Sequence, residues 1–469
     1  MRRNLGVCLS CCAFLALGST TAAGQSGDVP PTPTFAKDVA PIIYESCVSC
    51  HRPGSIAPMS LTSYSEVRPW ARAIRDKVVS GEMPPWHADP RYGTFRNERK
   101  LTTAQIETIE RWVDTGATRG DDAHTPVLPT FAEGWQGGEP DYVFVMPEYQ
   151  VPAEGEIGMT NFWVPNTFKE DRFLEAVEMR PGNPSVVHHG RIDVLELPHG
   201  LSVNEHGVLI GPDSRPFTEE RGGVLDIPDD SGNRFHLISF VPGRGYERYA
   251  PGTGKRLTAG KWLRFNIHYQ AKGIADTDAT RLGVWFSKVP VTHEVFTRSV
   301  GTSLPTEIQH TRYMVGGKEV ILNVPIGTGE IRTTRIPNIP PHAENWKIVS
   351  VTPVTEPITI FSLWPHMHLR GKDMMWIVTF PDGRDEVILS VPNYDFNWQL
   401  QYELAEPLSV PAGSKLTAIG HYDNSIRNRY NPAPDKEVYW AEQSWDEMFS
   451  PYLEYTVDSL LADPLEGTE

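Results

Sequence analysis

From residue 141 onward, apolar positions come in short alternating runs broken by Gly, Pro or Asp. Residues 142–145, 191–197, 237–241 and 261–270 are examples, and a period of two predicts strands with one buried face. In 261–270, Leu263, Phe265, Ile267 and Tyr269 take one face, leaving Arg264, Asn266 and His268 on the other. No helical period of useful length occurs in this part, and no internal repeat. About 330 residues of this pattern suit two antiparallel sandwiches, 141–295 and 296–469, dividing between Pro290 and Pro305.

The first part of the chain has a different period. Residues 34–51 read as a capped helix. Val67, Trp70, Ala71, Ile74 and Val78 fall at helical spacing, with Gly81 placed to stop that helix. Ile106, Ile109, Trp112 and Val113 mark a third helix, ending at Gly116. Residues 30–120 are thus expected to be a small all-α domain. The proline- and glycine-bearing stretch 121–140 reads as a linker.

Composition narrows the class. A formal net charge of −16 argues against nucleic acid or an anionic membrane as partner. Arg2 and Arg3, the apolar run from Leu5 to Leu17 and the small residues Thr21-Ala22-Ala23-Gly24 predict a secretory signal segment over 1–24. The expected location is therefore periplasmic or secreted. A lipid anchor on Cys11 or Cys12 is the lesser alternative, because the small-residue region lies well downstream. No later segment is apolar for long enough to span a bilayer.

Only Cys47 and Cys50 remain in the processed chain, within Cys47-Val48-Ser49-Cys50-His51. This C-x-x-C-H run is the attachment signature of c-type haem: two thiols bond the porphyrin, and the adjacent His51 lies beneath the iron. A redox dithiol or half a zinc site leaves the histidine unexplained. Met83, on the proline-fixed loop Gly81-Glu82-Met83-Pro84-Pro85, is the favoured sixth ligand; Met59, or no residue, is the alternative. The segment resembles small bacterial c-type cytochrome domains.

Most of the 15 histidines stand singly beside turn residues, and His236 reads as a satisfied core or surface histidine. Three local patterns differ: His188-His189, His268, and His366-x-His368 in Trp364-Pro365-His366-Met367-His368-Leu369-Arg370-Gly371-Lys372. His366 and His368 follow a strand-like run, where a period of two puts both on one side. Adjacent His188 and His189 can share a metal only at a bulge or a strand end.

His188-His189, His268-Tyr269, His366-x-His368-x-x-Gly371-Lys372 and Asp446-Glu447-Met448, in that order and at similar intervals, resemble the copper type II, ascorbate-dependent monooxygenases, the family of peptidylglycine α-hydroxylating and dopamine β-monooxygenases. The resemblance spans about 141–457. It implies two jelly-roll-like sandwiches carrying one copper each across a solvent-filled cleft. His188, His189 and His268 would bind the electron-accepting copper. His366, His368 and Met448 would bind the copper at which oxygen is activated, and Tyr452 matches a substrate-contacting tyrosine. Three imidazoles tolerate both copper oxidation states, and a thioether favours Cu(I). The chain departs from the pattern at Trp364, where a basic residue anchors a substrate carboxylate, at Ser450, where an asparagine stands, and in lacking cysteines for disulfides. His421 has no counterpart.

The expectation is an all-α cytochrome c-like domain followed by two all-β jelly-roll sandwiches, holding covalent haem c and two coppers. It would hydroxylate a small organic or peptide substrate with O2, fed by an ascorbate-like or protein donor through the haem. The alternative is an electron-transfer or copper-binding protein on the same scaffold, without catalysis.

Overall fold

The computed structural model describes residues 31–55, 57–131, 134–155, 157–217, 235–241, 244–300, 310–315, 318–323, 338–440 and 443–459. The signal segment 1–24, with Cys8, Cys11 and Cys12, lies outside them.

The expected fold class needs correction. Strand makes up 37% of the chain and helix only 12%, and in place of two closed jelly rolls stands a succession of small sheets. One six-stranded sheet runs from Tyr142–Val145 through Arg281–Phe286, Arg172–Arg180 and Thr253–Leu257 to a parallel partner, His293–Glu294, with Tyr246–Arg248 on a side branch. A four-stranded sheet orders Thr160–Pro165, Trp262–Tyr269, Val187–Leu195 and Phe235–Phe240. Further on, Phe296–Ser299, Ser450–Val457, Ile358–His366 and Tyr402–Val410 form a second four-stranded sheet. A second six-stranded sheet holds Lys318–Asn323, His310–Val315, Trp346–Pro353, Lys415–Tyr422, Gly371–Thr379 and Asp385–Val391. Two two-stranded ribbons complete the set among the described residues. Unequal sheets, ribbons and a parallel pair are not the paired four-stranded plan of a jelly roll.

The N-terminal segment is not a self-contained all-α domain either. Its helices are short, broken where proline withholds an N–H. A π turn, Phe35–Val39, precedes Ala40–Ser46, which begins with Pro41. The second expected helix splits into Tyr64–Val67, a 3-10 turn at Arg68–Trp70 around Pro69, and Ala71–Val79. Gly81 then takes the left-handed conformation at φ 74°. Thr103–Asp114 is closed by a capping box between Thr102 and Gln105.

These helices share one apolar cluster around Phe35, Ile43, Ile109 and Trp112. Residues 86–97 leave it and join a β core. Phe95 pairs with Leu404 on the edge strand Tyr402–Val410, and Arg96 N–H donates to Glu403 O at 2.9 Å. Ala88 and Phe95 are buried in the cluster that holds Ile360, Leu363, Trp376 and Tyr455.

A second β core lies between the first two sheets, with Phe144, Leu174, Val177, Ile192, Phe265 and Val284. Among the described residues, no helix is long and apolar enough to cross a membrane.

Candidate metal centre

The strands Val187–Leu195 and Trp262–Tyr269 run antiparallel, with His189 opposite His268. The next pair is Val187 with Tyr269, so the register slips by one and His188 has no partner. That bulge is what adjacent histidines need to turn to one side. The three rings stand 5.0–5.4 Å apart between centroids. Their candidate ligand atoms lie within 4.8 Å of one another, and the His188 and His189 Nδ1 atoms are 3.0 Å apart. His268 Nδ1 is buried with no hydrogen-bond partner.

Burial strips water from all three rings and lowers their pKa values, His268 to about 4 and His189 well below its ordinary value. The set is therefore three neutral imidazoles, the form that binds a metal ion. Imidazole nitrogens suit copper or zinc.

His366 ends the strand Ile358–His366, and His368 stands just beyond it, the rings 5.2 Å apart at 86°. Each ring donates its Nδ1–H outward. His366 donates to Gln399 Oε1 at 2.5 Å and His368 to Asp446 O at 3.3 Å. Such bonds fix the tautomer and leave the Nε2 lone pair for a metal.

The turn that begins at His368 is clamped by the buried Glu447 carboxyl, which accepts from His368 N at 2.8 Å and Arg370 N at 2.6 Å. Burial raises Glu447 to about 8 against those bonds, and it lowers His366 to about 4. Met448 follows, its carbonyl accepting from Tyr422 Oη at 2.7 Å.

The two clusters share one cavity, lined by His189, His366, His368, Met448, Trp364 and Tyr452 among others. Phe396 stands between them. Its ring is 5.8, 5.6 and 6.4 Å from His188, His189 and His268, and 6.0 Å from His368. Phe396, Gln399 and Arg244 carry no signal in the sequence, since each reaches the site only through the tertiary fold. His236, read as ordinary, also lines the cavity, bonded to Asp193 at 3.3 Å and Ser239 at 3.1 Å. His421 does not line it; its ring is paired with Asp373 at 2.6 Å.

Cys47 and Cys50 are free thiols on the turn after Ala40–Ser46, wound by His51 N–H to Cys47 O at 2.9 Å. His51 Nδ1 donates to Met59 O at 3.2 Å, which leaves Nε2 available as an axial ligand. Met59 and Cys47 both pack against the helical cluster. Met83 sits on the turn after Ala71–Val79, and its loop leads to Trp86 and the β core.

No family model matches the chain, and no curated protein does. Among solved structures, an allantoicase is 12% identical with a TM-score of 0.16, covering 59% of this chain and 79% of its own. The infectious bursal disease virus Gx strain is 9% identical with a TM-score of 0.15, covering 68% and 73%. A tandem CBM22 domain from Paenibacillus barcinonensis Xyn10C is 10% identical with a TM-score of 0.15, covering 71% and 96%. Scores this low carry no argument about this chain.

Proposed function

We propose that the protein is an exported copper-dependent monooxygenase, with electrons supplied through a c-type haem on Cys47, Cys50 and His51. The observation that carries the reading is one cavity that meets both histidine sets: His189, clustered with His188 and His268, lines it, and so do His366, His368 and Met448. The donor sets fit copper: buried neutral imidazoles on one side, two imidazoles and a thioether on the other. Copper bound there would supply one-electron redox chemistry and an oxygen-binding centre.

The chain's own groups do the rest. Gln399 Oε1 and Asp446 O hold the tautomers of His366 and His368. Glu447 holds the turn that begins at His368, and the Phe396 ring packs against rings of both sets. Hydroxylation consumes O2, two electrons, two protons and a C–H bond, and yields an alcohol and water. A haem passing electrons singly matches that stoichiometry.

Metal analysis of the haem-loaded protein should find two coppers per chain. Met448→Ala should abolish oxygen uptake with substrate while leaving haem reduction intact. If the reduced, copper-loaded protein keeps its haem reduced under air, with and without candidate substrates, the coupling is wrong. Two coppers without any hydroxylated product would instead leave an electron-transfer protein.

A further inference from the structure

The cavity has a wall that the proposed oxygen chemistry leaves unused. Trp364 and Tyr452 lie opposite each other on neighbouring strands, ring centroids 5.0 Å apart and planes 24° apart. His236 continues the stack from the first set of sheets, 6.1 Å from Tyr452 at 22°. The Arg244 guanidinium lies 5.3 Å from the centre of the Trp364 ring. Its side chain is 10% exposed and lines the cavity. One terminal nitrogen pairs with Glu247, whereas Nε and Nη1 have no hydrogen-bond partner.

A guanidinium keeps its charge and presents its donors as a rigid fork matched to a carboxylate. Leaving two such donors buried and unpaired is costly, so the site is built to take an acceptor. A second guanidinium, Arg191, also lines the cavity. Arg191 and Arg264 face Asp193 at 3.3 and 2.8 Å, and Lys255 faces Glu247 and Glu454 at 3.2 and 3.1 Å. Glu247 is thus shared between Arg244 and Lys255. His236 adds no charge, because burial lowers its pKa.

We propose that this cavity recognises an aromatic acid, with Arg244 as its specificity-determining anchor. The ring lies against the wall of Trp364, Tyr452 and His236, and the carboxylate takes the free donors of Arg244. This names the substrate class of the site proposed above and rests on that reading.

The test is calorimetric titration of phenylacetate and its neutral isostere phenylacetamide into the full-length, haem-loaded chain after chelator treatment, so that no carboxylate–metal bond contributes. A charge-assisted fork should make phenylacetate bind about tenfold tighter or more. Arg244→Met should bring the two ligands within about twofold of each other, and Arg244→Lys should keep part of the preference. Equal affinities in the unsubstituted chain, or a preference that survives Arg244→Met, overturn the proposal.

Removing Arg244 alone takes a partner from buried Glu247, so the double variant R244M/E247Q removes the pair together if the single one misfolds. A preference surviving there counts equally against it. Copper content and oxygen uptake on the same preparations separate the two readings. A chain without either that still prefers phenylacetate through Arg244 sinks the monooxygenase and spares the acid site. Two coppers and coupled uptake, with no Arg244-dependent preference, do the reverse.

Discussion

At the scale of single residues, the groups proposed to touch a metal differ from those that would hold them in place. Gln399 belongs to the second kind. Its amide oxygen fixes the proton of His366 on Nδ1. Gln399→Leu should therefore weaken copper at the His366–His368–Met448 site by about ten- to a hundredfold, the usual effect of such supporting bonds. The three-histidine site should keep its copper, and competitive titration with a chromophoric chelator would read both affinities.

Cys47 gives a second residue-level test. Burial pushes its thiol from the ordinary 9.0 up to about 12. In the haem-free chain, Cys47 should resist iodoacetamide at pH 8, with a rate that climbs only as pH approaches 12; mass spectrometry after timed quenching would show it. The sign for stability follows. Between about 9 and about 12 the native state keeps a proton that the unfolded chain has lost, so stability falls as pH rises through that window. Haem attachment consumes the thiol and should abolish both effects. The candidate ligand residues are legible in the sequence because imidazoles, thiols and thioethers at fixed spacings announce themselves. Phe396, Gln399 and Arg244 have no such spacing.

Elements explain where the sequence pattern ran out. The strand Trp262–Tyr269 alternates cleanly and was expected at 261–270, almost as found. Its neighbour Val187–Leu195 was expected only from residue 191, because His188-His189 breaks the alternation where the ladder slips. The shortened expectation and the convergence of the three histidines thus share one cause, a bulge. The helices mislead in the opposite sense. Apolar spacing from Val67 to Val78 continues across Pro69, but the hydrogen-bond ladder does not.

Position along an element also matters at Gly420, in the strand Lys415–Tyr422. A Cβ there would come within 2.7 Å of the Phe449 ring, one residue after Met448. Gly420→Ala should displace Phe449, destabilise the fold by about 1–3 kcal/mol and loosen the Met448 site selectively. Chemical denaturation together with copper counting would check it. Loss of both coppers, or of neither, would show that Phe449 does not position Met448.

Contacts of several chemistries tie the two sets of sheets together. Lys255, from the first set of sheets, reaches Glu454 of the second at 3.1 Å with both side chains nearly buried. Met159 N–H crosses to Gln443 Oε1 at 3.0 Å. Glu454→Gln leaves Lys255 one carboxylate short, and losing one side of a buried pair costs about 3–5 kcal/mol. Lys255 retains Glu247, so the lower end is expected, read as a fall in Tm with unchanged haem content.

The helical segment is held differently, by Trp86, whose ring meets Phe95 at 5.9 Å and Tyr402 at 4.9 Å, both edge-on. Hydrophobic periodicity marked the helices as separate and gave no sign that residues 86–97 would join a β core, since a lone Trp86 and Phe95 have no period. Removing a buried Trp or Phe costs about 3–5 kcal/mol. Trp86 is half-buried, so Trp86→Ala should sit near or below that range, and the loss falls on the junction rather than on either core. Unfolding of the unsubstituted chain should look alike by haem absorbance and by tryptophan fluorescence, because the junction couples the two parts. In Trp86→Ala the haem transition should come first and separate from the fluorescence transition. Coincident transitions in the variant would place the coupling elsewhere, with the backbone pairing of Phe95 to Leu404 as the next contact to break.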